Sequence, residues 1–123
     1  MDIAVVVNLR ARRGSEKVAR TCRQHLPEAR VLASQDLAEA VGFARDLRAK
    51  PPSLLVSAGG DGTIVTLLNA MRAPSERDAQ VTPMPAALGI LPLGTGNGWA
   101  HVMGAPGWRA GIEQIGQLAE RGS

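Results

Sequence analysis

A short apolar run that ends in a glycine cluster and resumes as an amphipathic stretch leaves few folds open to a chain. Leu54-Leu55-Val56-Ser57-Ala58 has the length and apolarity of a strand covered on both faces. Gly59-Gly60-Asp61-Gly62-Thr63 follows at once, and Ile64, Leu67, Leu68 and Met71 then recur at helical spacing. The segment reads as strand, Gly-rich loop, helix. At average composition this pentamer arises by chance at roughly one position in a million, so it calls for a physical cause. The pattern returns where the short buried strand Ala87-Leu88-Gly89-Ile90-Leu91 runs into Pro92-Leu93-Gly94-Thr95-Gly96-Asn97-Gly98.

The rest of the chain alternates in the same way. Ile3 to Val7 reads as a strand and Ser15 to His25 as a helix stopped by Pro27. A short strand is expected around Arg30 to Ala33. The next helix begins at Asp36, where Glu39 completes an N-terminal capping signature, and Leu37, Ala40, Val41, Ala44 and Leu47 share one face. Pro51-Pro52 ends that helix before Leu54. After Met71 comes a polar, Pro-containing segment from Ala73 to Pro85, a long surface loop or lid candidate. A short helix near Gly98 to Met103, a turn through Gly104 to Gly107 and a last helix from Trp108 to about Arg121 complete the chain. Strands separated by helices predict an α/β fold, a three-layer parallel sheet with helices on both faces and right-handed crossovers, as a single domain over residues 1–123.

In such a sheet ligands bind outside the carboxyl ends of the strands, which puts both Gly-rich loops on one edge. At a strand-to-helix junction the first amides of the helix are unpaired and carry the positive end of its dipole, so an anion is stabilised there. Gly59, Gly60 and Gly62 lack the Cβ that would keep a phosphate away. Asp61 is the odd residue, because a bare carboxylate repels phosphate. It fits either a Mg2+ that reconciles the two charges or a base for an attacking hydroxyl. The bland alternative is a Gly-rich turn in which Asp61 only caps the helix. In the second loop Gly94 and Gly96 allow close backbone approach, while Thr95 and Asn97 offer hydrogen-bonding groups suited to phosphate, ribose or base edges. Gly-Thr-Gly-Asn-Gly-Trp misses the dinucleotide fingerprint because Trp99 stands where its third Gly belongs. A P-loop is excluded, since it needs Lys after its last Gly and the only lysines are Lys17 and Lys50.

Gly-Gly-Asp-Gly-Thr followed by Pro-Leu-Gly-Thr-Gly-Asn resembles the catalytic domain of the diacylglycerol kinase family, which includes bacterial lipid kinases, sphingosine kinases and ceramide kinases and has the NAD kinases as distant relatives. The resemblance covers nearly the whole chain. It implies the N-terminal domain fold of NAD kinases and diacylglycerol kinases, ATP as phosphoryl donor with Mg2+, and Asp61 as base or as a metal ligand through water. It extends to Asn8 at the end of the first strand, where the family often has Asn-Pro; here Leu9 follows, which leaves the turn less rigid. Asn8, Arg10, Ser34, Gly59, Gly60, Gly62, Thr63, Gly94, Thr95, Gly96 and Asn97 then make up the nucleotide side, Ser34 matching only loosely. Gly98 stands where many members carry Asp, so one carboxylate toward metal or substrate is missing. The family continues into a β-rich domain with an Asp-Gly-Glu-type motif, and this chain stops at Ser123, close to where that domain would begin. The implied function is ATP-dependent phosphorylation of a lipid hydroxyl, with this chain as the ATP-binding half. The implied partners are a lipid substrate at a membrane surface and the C-terminal domain, and a homodimer is left open. Two other readings stand beside it: an NAD kinase-like enzyme, against which Pro92 to Asn97 argues, and a nucleotide-sensing or interaction module without chemistry.

Composition narrows the field further. At 123 residues and 45% hydrophobic content the chain is long enough for a core of its own. Aromatics are 2%, with no Tyr, so that core is expected from Ala, Val, Leu and Ile. The single Cys22 excludes an internal disulfide and fits a core position on a helix with Val18, Ala19 and Leu26. The net charge is +3, from twelve Arg and two Lys against eleven acidic residues. Basic residues gather at Arg10, Arg12, Arg13, Lys17, Arg20 and Arg23, most simply as a solvated face; Arg10, on the active edge, is the one expected to reach phosphate. Nucleic acid is a poor partner, because the chain lacks an aromatic stacking platform and any DNA-binding motif. No signal core or spanning segment is visible, so the expected location is cytoplasmic, peripheral at the inner membrane surface when lipid is engaged. His25 is expected to complement a helix dipole, His101 to be a surface or packing residue ahead of a nucleotide contact, Trp99 either to cover an adenine ring or to pack the last helix, and Trp108 to pack that helix. There is no His/Cys cluster for zinc.

Overall fold

The computed structural model describes residues 1–10, 15–72, 87–93 and 107–121, with the Asp61 side chain excepted. The elements in chain order are β1 (Ile3–Asn8), α1 (Ser15–His25), β2 (Arg30–Ser34), α2 (Leu37–Ala49), β3 (Leu54–Gly59), α3 (Asp61–Arg72), β4 (Ala87–Pro92) and α4 (Trp108–Arg121). The expected lid over 73–85 and the expected helix over 98–103 lie outside the described residues.

All four strands pair in parallel, in the order β2-β1-β3-β4. The apolar runs of β1 and β3 are explained by their central places. Every residue from Ile3 to Val7 and from Leu54 to Gly59 is buried, as expected of a strand covered on both faces. Alternation splits the core into two layers. On one face Ile3, Val5, Val7, Val56 and Ala58 meet Val18, Ala19 and Cys22 of α1 and Ile112 and Ile115 of α4. On the other, Ala4, Val6 and Leu55 meet Ala40, Ala44 and Leu47 of α2 and Leu67, Ala70 and Met71 of α3. The predicted three-layer parallel α/β architecture is the one observed, and Cys22 sits in the core with Val18, Ala19 and Leu26 as its helical spacing required.

Each strand runs one residue further at its carboxyl end than the apolar pattern indicates. Asn8, Ser34, Gly59 and Pro92 are ladder residues, paired as Asn8↔Ser34 and Gly59↔Pro92. The ladder follows neighbouring backbones, so a polar residue or a Gly is carried along when the adjacent strand continues. The same effect shortens the Gly-rich loop. Gly59 closes β3 and Asp61 opens α3, so only Gly60 lies between strand and helix, where the sequence predicted a five-residue loop from Gly59 to Thr63.

α2 begins as its capping signature demands. Asp36 is extended, with φ −154° and ψ 175°, and its carboxylate accepts from the Glu39 amide at 2.8 Å. Glu39 reaches back to the Gln35 amide at 3.1 Å, one residue before the cap itself. Leu37, expected on the buried face, is 46% exposed. It is the first residue of α2, and β2 beneath it has already ended at Ser34. At the far end of the sheet Arg30 of β2 pairs with both carboxylate oxygens of Asp2 at 3.1 Å. That pair is two-fifths exposed, so it is worth about 0–1 kcal/mol and contributes little to the fold.

Candidate functional site

The strand order creates a topological switch point. The chain leaves β1 to one side to form β2, then crosses back to place β3 on the other side. The connections that follow β1 and β3 therefore diverge, and the crevice between them at the carboxyl ends of the strands is where open α/β sheets bind ligands. Asn8 and the Gly59-Gly60 junction are the residues that reach it.

The crevice is tied across by side chains. Asn8 Nδ2 donates to Thr63 Oγ1 at 3.0 Å, linking the end of β1 to the first turn of α3 across fifty-five residues of chain. Asn8 Oδ1 accepts from the Arg10 amide at 3.0 Å, which folds Leu9 and Arg10 into a turn over the strand end. The two bonds define the orientation of the Asn8 side chain, because a backbone N–H can donate only to the amide oxygen. The Leu9 amide donates to the Ser34 carbonyl at 2.9 Å, and the Ser34 hydroxyl donates to the Val7 carbonyl at 3.3 Å. Ser34 is fully buried, so its hydroxyl fastens β2 to β1 beneath the turn. Arg10 is exposed above it.

On the other side of the crevice, the Leu93 amide donates to the Gly59 carbonyl at 3.0 Å and carries the β3–β4 ladder past Pro92. The Thr63 amide turns back onto the Gly60 carbonyl at 3.2 Å. The amides ahead of it open α3 with no carbonyl a turn behind them, the arrangement that stabilises an anion at a helix start. Gly59 fits here because there is no room for anything larger: a Cβ built on it would lie 2.5 Å from Thr63 Oγ1. Gly62 is exposed on the first turn of α3, and a Cβ there would meet nothing within 4 Å.

Of the residues singled out from the sequence, the fold brings Asn8, Arg10, Ser34, Gly59, Gly60, Gly62 and Thr63 to one edge of the sheet. Gly94, Thr95, Gly96 and Asn97 lie outside the described residues, as does the side chain of Asp61. Among the described residues no group of three or more His, Cys, Asp or Glu could hold a metal by itself. The Asn8–Thr63 link was not visible in the sequence. Its only trace there was an Asn ending one strand and a Thr opening the helix after another.

Other concavities lie elsewhere. A groove of about 360 Å3 beside the ends of β1 and β2 is lined by Leu9, Ala33 and the α1 residues Glu16, Ala19, Arg20 and Arg23. A cleft of about 320 Å3 at the opposite edge, where the strands begin, is floored by Ile3, Leu26, Ala29, Gly116 and Ala119. Neither contains a Gly-rich turn. No helix among the described residues is long and apolar enough to cross a membrane.

Comparison with known proteins agrees with this geometry. The family model of the diacylglycerol kinase catalytic domain matches residues 2–123. Two crystal structures of proteins from Bacillus anthracis str. Sterne, each assigned as a diacylglycerol kinase, superpose on the chain with TM-scores of 0.72 and 0.71 at 24% identity. The match covers 95% of this chain and 42% of each of theirs, so the chain spans less than half the length of those proteins, with which it shares its fold. No curated protein sequence matches it.

Proposed function

The chain belongs to the diacylglycerol kinase catalytic domain family, and on that premise we propose that it supplies the ATP-binding half of a kinase that phosphorylates a lipid hydroxyl at a membrane surface. The observation that carries this reading is the Asn8–Thr63 hydrogen bond. It joins the end of β1 to the Gly-Gly-Asp-Gly-Thr helix start at the topological switch point, where a nucleotide is expected in a sheet of this order.

The roles follow from the chemistry of phosphoryl transfer, which is mainly positioning and charge stabilisation. The triphosphate lies against the first turn of α3, where Gly60 and Gly62 let the backbone come close and the amides face the anion. Arg10, exposed on the turn above β1, reaches the same phosphates from the other side of the crevice. Gly94, Thr95, Gly96 and Asn97, which follow β4 in the chain, complete the nucleotide side. Where Mg2+ is bound with ATP, Asp61 would hold it through water and the ion would supply charge neutralisation at the phosphates. Asp61 accepts the proton of the lipid hydroxyl as its oxygen attacks the γ-phosphorus and the bond to the bridging oxygen of ADP breaks. The lipid-facing half comes from a second domain, so this chain alone binds nucleotide weakly and does not turn over.

The test is calorimetric titration of ATP, with and without Mg2+, into the 123-residue chain and its Asp61→Asn variant, together with a lipid phosphorylation assay. Expected are binding in the high micromolar to millimolar range, a Mg2+ dependence altered in Asp61→Asn, and no phosphorylated lipid. Absence of binding at millimolar ATP counts against the nucleotide assignment, and phosphorylated lipid from this chain alone counts against the split site.

A further inference from the structure

Thr63 belongs to the glycine-rich helix start, yet it is only 2% exposed, and its oxygen already accepts the Asn8 amide at 3.0 Å. A hydroxyl closed off from solvent is closed off from a ligand that arrives through solvent. Asn8 faces the other way. It is half-buried at the strand end, its oxygen holds the Arg10 amide at 3.0 Å, and an amide nitrogen has two hydrogens, of which Thr63 takes one.

We propose that Thr63 is a positioning residue rather than a ligand of the nucleotide. Through Thr63 Oγ1, the first turn of α3 holds the Asn8 amide, and through Asn8 Oδ1 it holds the Leu9-Arg10 turn, so that Arg10 and the α3 amides present themselves to one anion. This rests on the nucleotide reading of the site. Gly59 is the third part of the device: with Thr63 Oγ1 2.5 Å and Thr63 Cβ 2.9 Å from where its Cβ would be, the helix start can press against β3 closely enough for the bond to Asn8 to form only if that Cβ is absent. The Asn8–Thr63 bond and the missing Gly59 Cβ thus extend the β1–β3 ladder into the crevice, fixing the start of α3 against the end of β1.

The experiment uses the 123-residue chain with ATP-Mg2+ as the probe. Thr63→Val keeps the shape and removes the hydroxyl; Thr63→Ser keeps the hydroxyl; Thr63→Ala avoids any crowding against Gly59 should the Val variant not fold. The expected result is ATP affinity about tenfold weaker in Thr63→Val and Thr63→Ala, the loss of roughly one hydrogen bond, with near-complete rescue in Thr63→Ser. In an Asn8→Ala background the Thr63→Val change should cost nothing further, because its effect passes through Asn8. Without ATP, Thr63→Val should move the NMR signals of the Asn8 side-chain amide and the Arg10 backbone amide, a readout independent of activity. Wild-type chain that binds no ATP would overturn the nucleotide reading and the proposal with it. Wild-type binding with Thr63→Val and Thr63→Ala equally tight, or with additive losses in the double variant, would overturn the positioning role alone.

Discussion

A Cβ on Gly59 would stand 2.5 Å from Thr63 Oγ1 and 2.9 Å from Thr63 Cβ, closer than real Cβ contacts occur. Thr63 has little room to yield. It is β-branched, buried in the first turn of α3, and bonded to Asn8. Gly59→Ala therefore has to push the start of α3 off the end of β3. The expected cost is about 1–3 kcal/mol, the range for overpacking a dense interior, measured as a lower urea midpoint at unchanged slope. A variant as stable as wild type would show that the junction relaxes freely.

Much of this edge was legible from the chain, for physical reasons that can be named. The apolar runs from Ile3 and from Leu54 announce buried central strands, because a strand with helices on both faces has no side that tolerates charge. Asp36 with Glu39 announces the start of α2, because a short carboxylate can satisfy an orphan amide of the first turn. The strand ends were less legible. Asn8, Ser34 and Gly59 look like loop residues by type, and only the partner strands beside them extend the ladder through them. Leu37 shows the limit of periodicity: it lies in phase with Ala40 and Ala44, yet it is exposed because the sheet does not reach that far. The Asn8–Thr63 bond depends on the order β2-β1-β3-β4, which no local pattern encodes.

The cap of α2 provides a control away from the crevice. Asp36→Ala removes the acceptor of the Glu39 amide and should destabilise the fold by about 1 kcal/mol. Glu39→Ala leaves that cap in place and loses only the exposed contact to the Gln35 amide, so its effect should be smaller. Chemical denaturation ranks the two, and ATP affinity should be unchanged in both. Loss of nucleotide binding in Asp36→Ala at a temperature where it is fully folded would mean that the start of α2 belongs to the site.

Cys22 gives the fold a dependence on alkaline pH. Burial among Val18, Ala19 and Leu26 pushes its thiol up from 9.0 to about 11, partly opposed by the positive charge of Arg23. The unfolded chain then loses the thiol proton first. Between about pH 9 and pH 11 the folded state holds more protons than the unfolded one, so its stability falls as pH rises. The stability at stake, about 3 kcal/mol, is fully present below pH 9 and is lost as the pH rises to about 11. Denaturation midpoints at pH 8, 9.5 and 10.5 should decline for wild type, and the decline should be markedly shallower in Cys22→Ala, whose own baseline is lower by the cost of a small core truncation. Equal slopes in the two proteins would mean that other groups govern the alkaline limb. Native Cys22 should also react slowly with alkylating reagents at neutral pH, since the thiolate is the nucleophile.

Gly62 separates what the fold needs from what a ligand needs. It is exposed in the first turn of α3, its φ does not fall in the left-handed region, and a Cβ there would meet nothing within 4 Å. For the protein alone, Ala is the better residue, because Gly is roughly 0.5–1 kcal/mol less favourable than Ala within a helix. Gly62→Ala should therefore leave stability unchanged or raise it by up to about 1 kcal/mol, with the smaller values expected so near the helix end. Nothing in the packing of the described residues calls for Gly at this position. The requirement arises when a phosphate lies against the amides of that turn, where a Cβ would stand between anion and backbone. The variant should thus melt at or above the wild-type temperature while its ATP affinity falls at least several-fold, a divergence that damage to the fold cannot produce. A Gly62→Ala chain that is more stable and binds ATP as well as wild type would move the phosphates away from the first turn of α3.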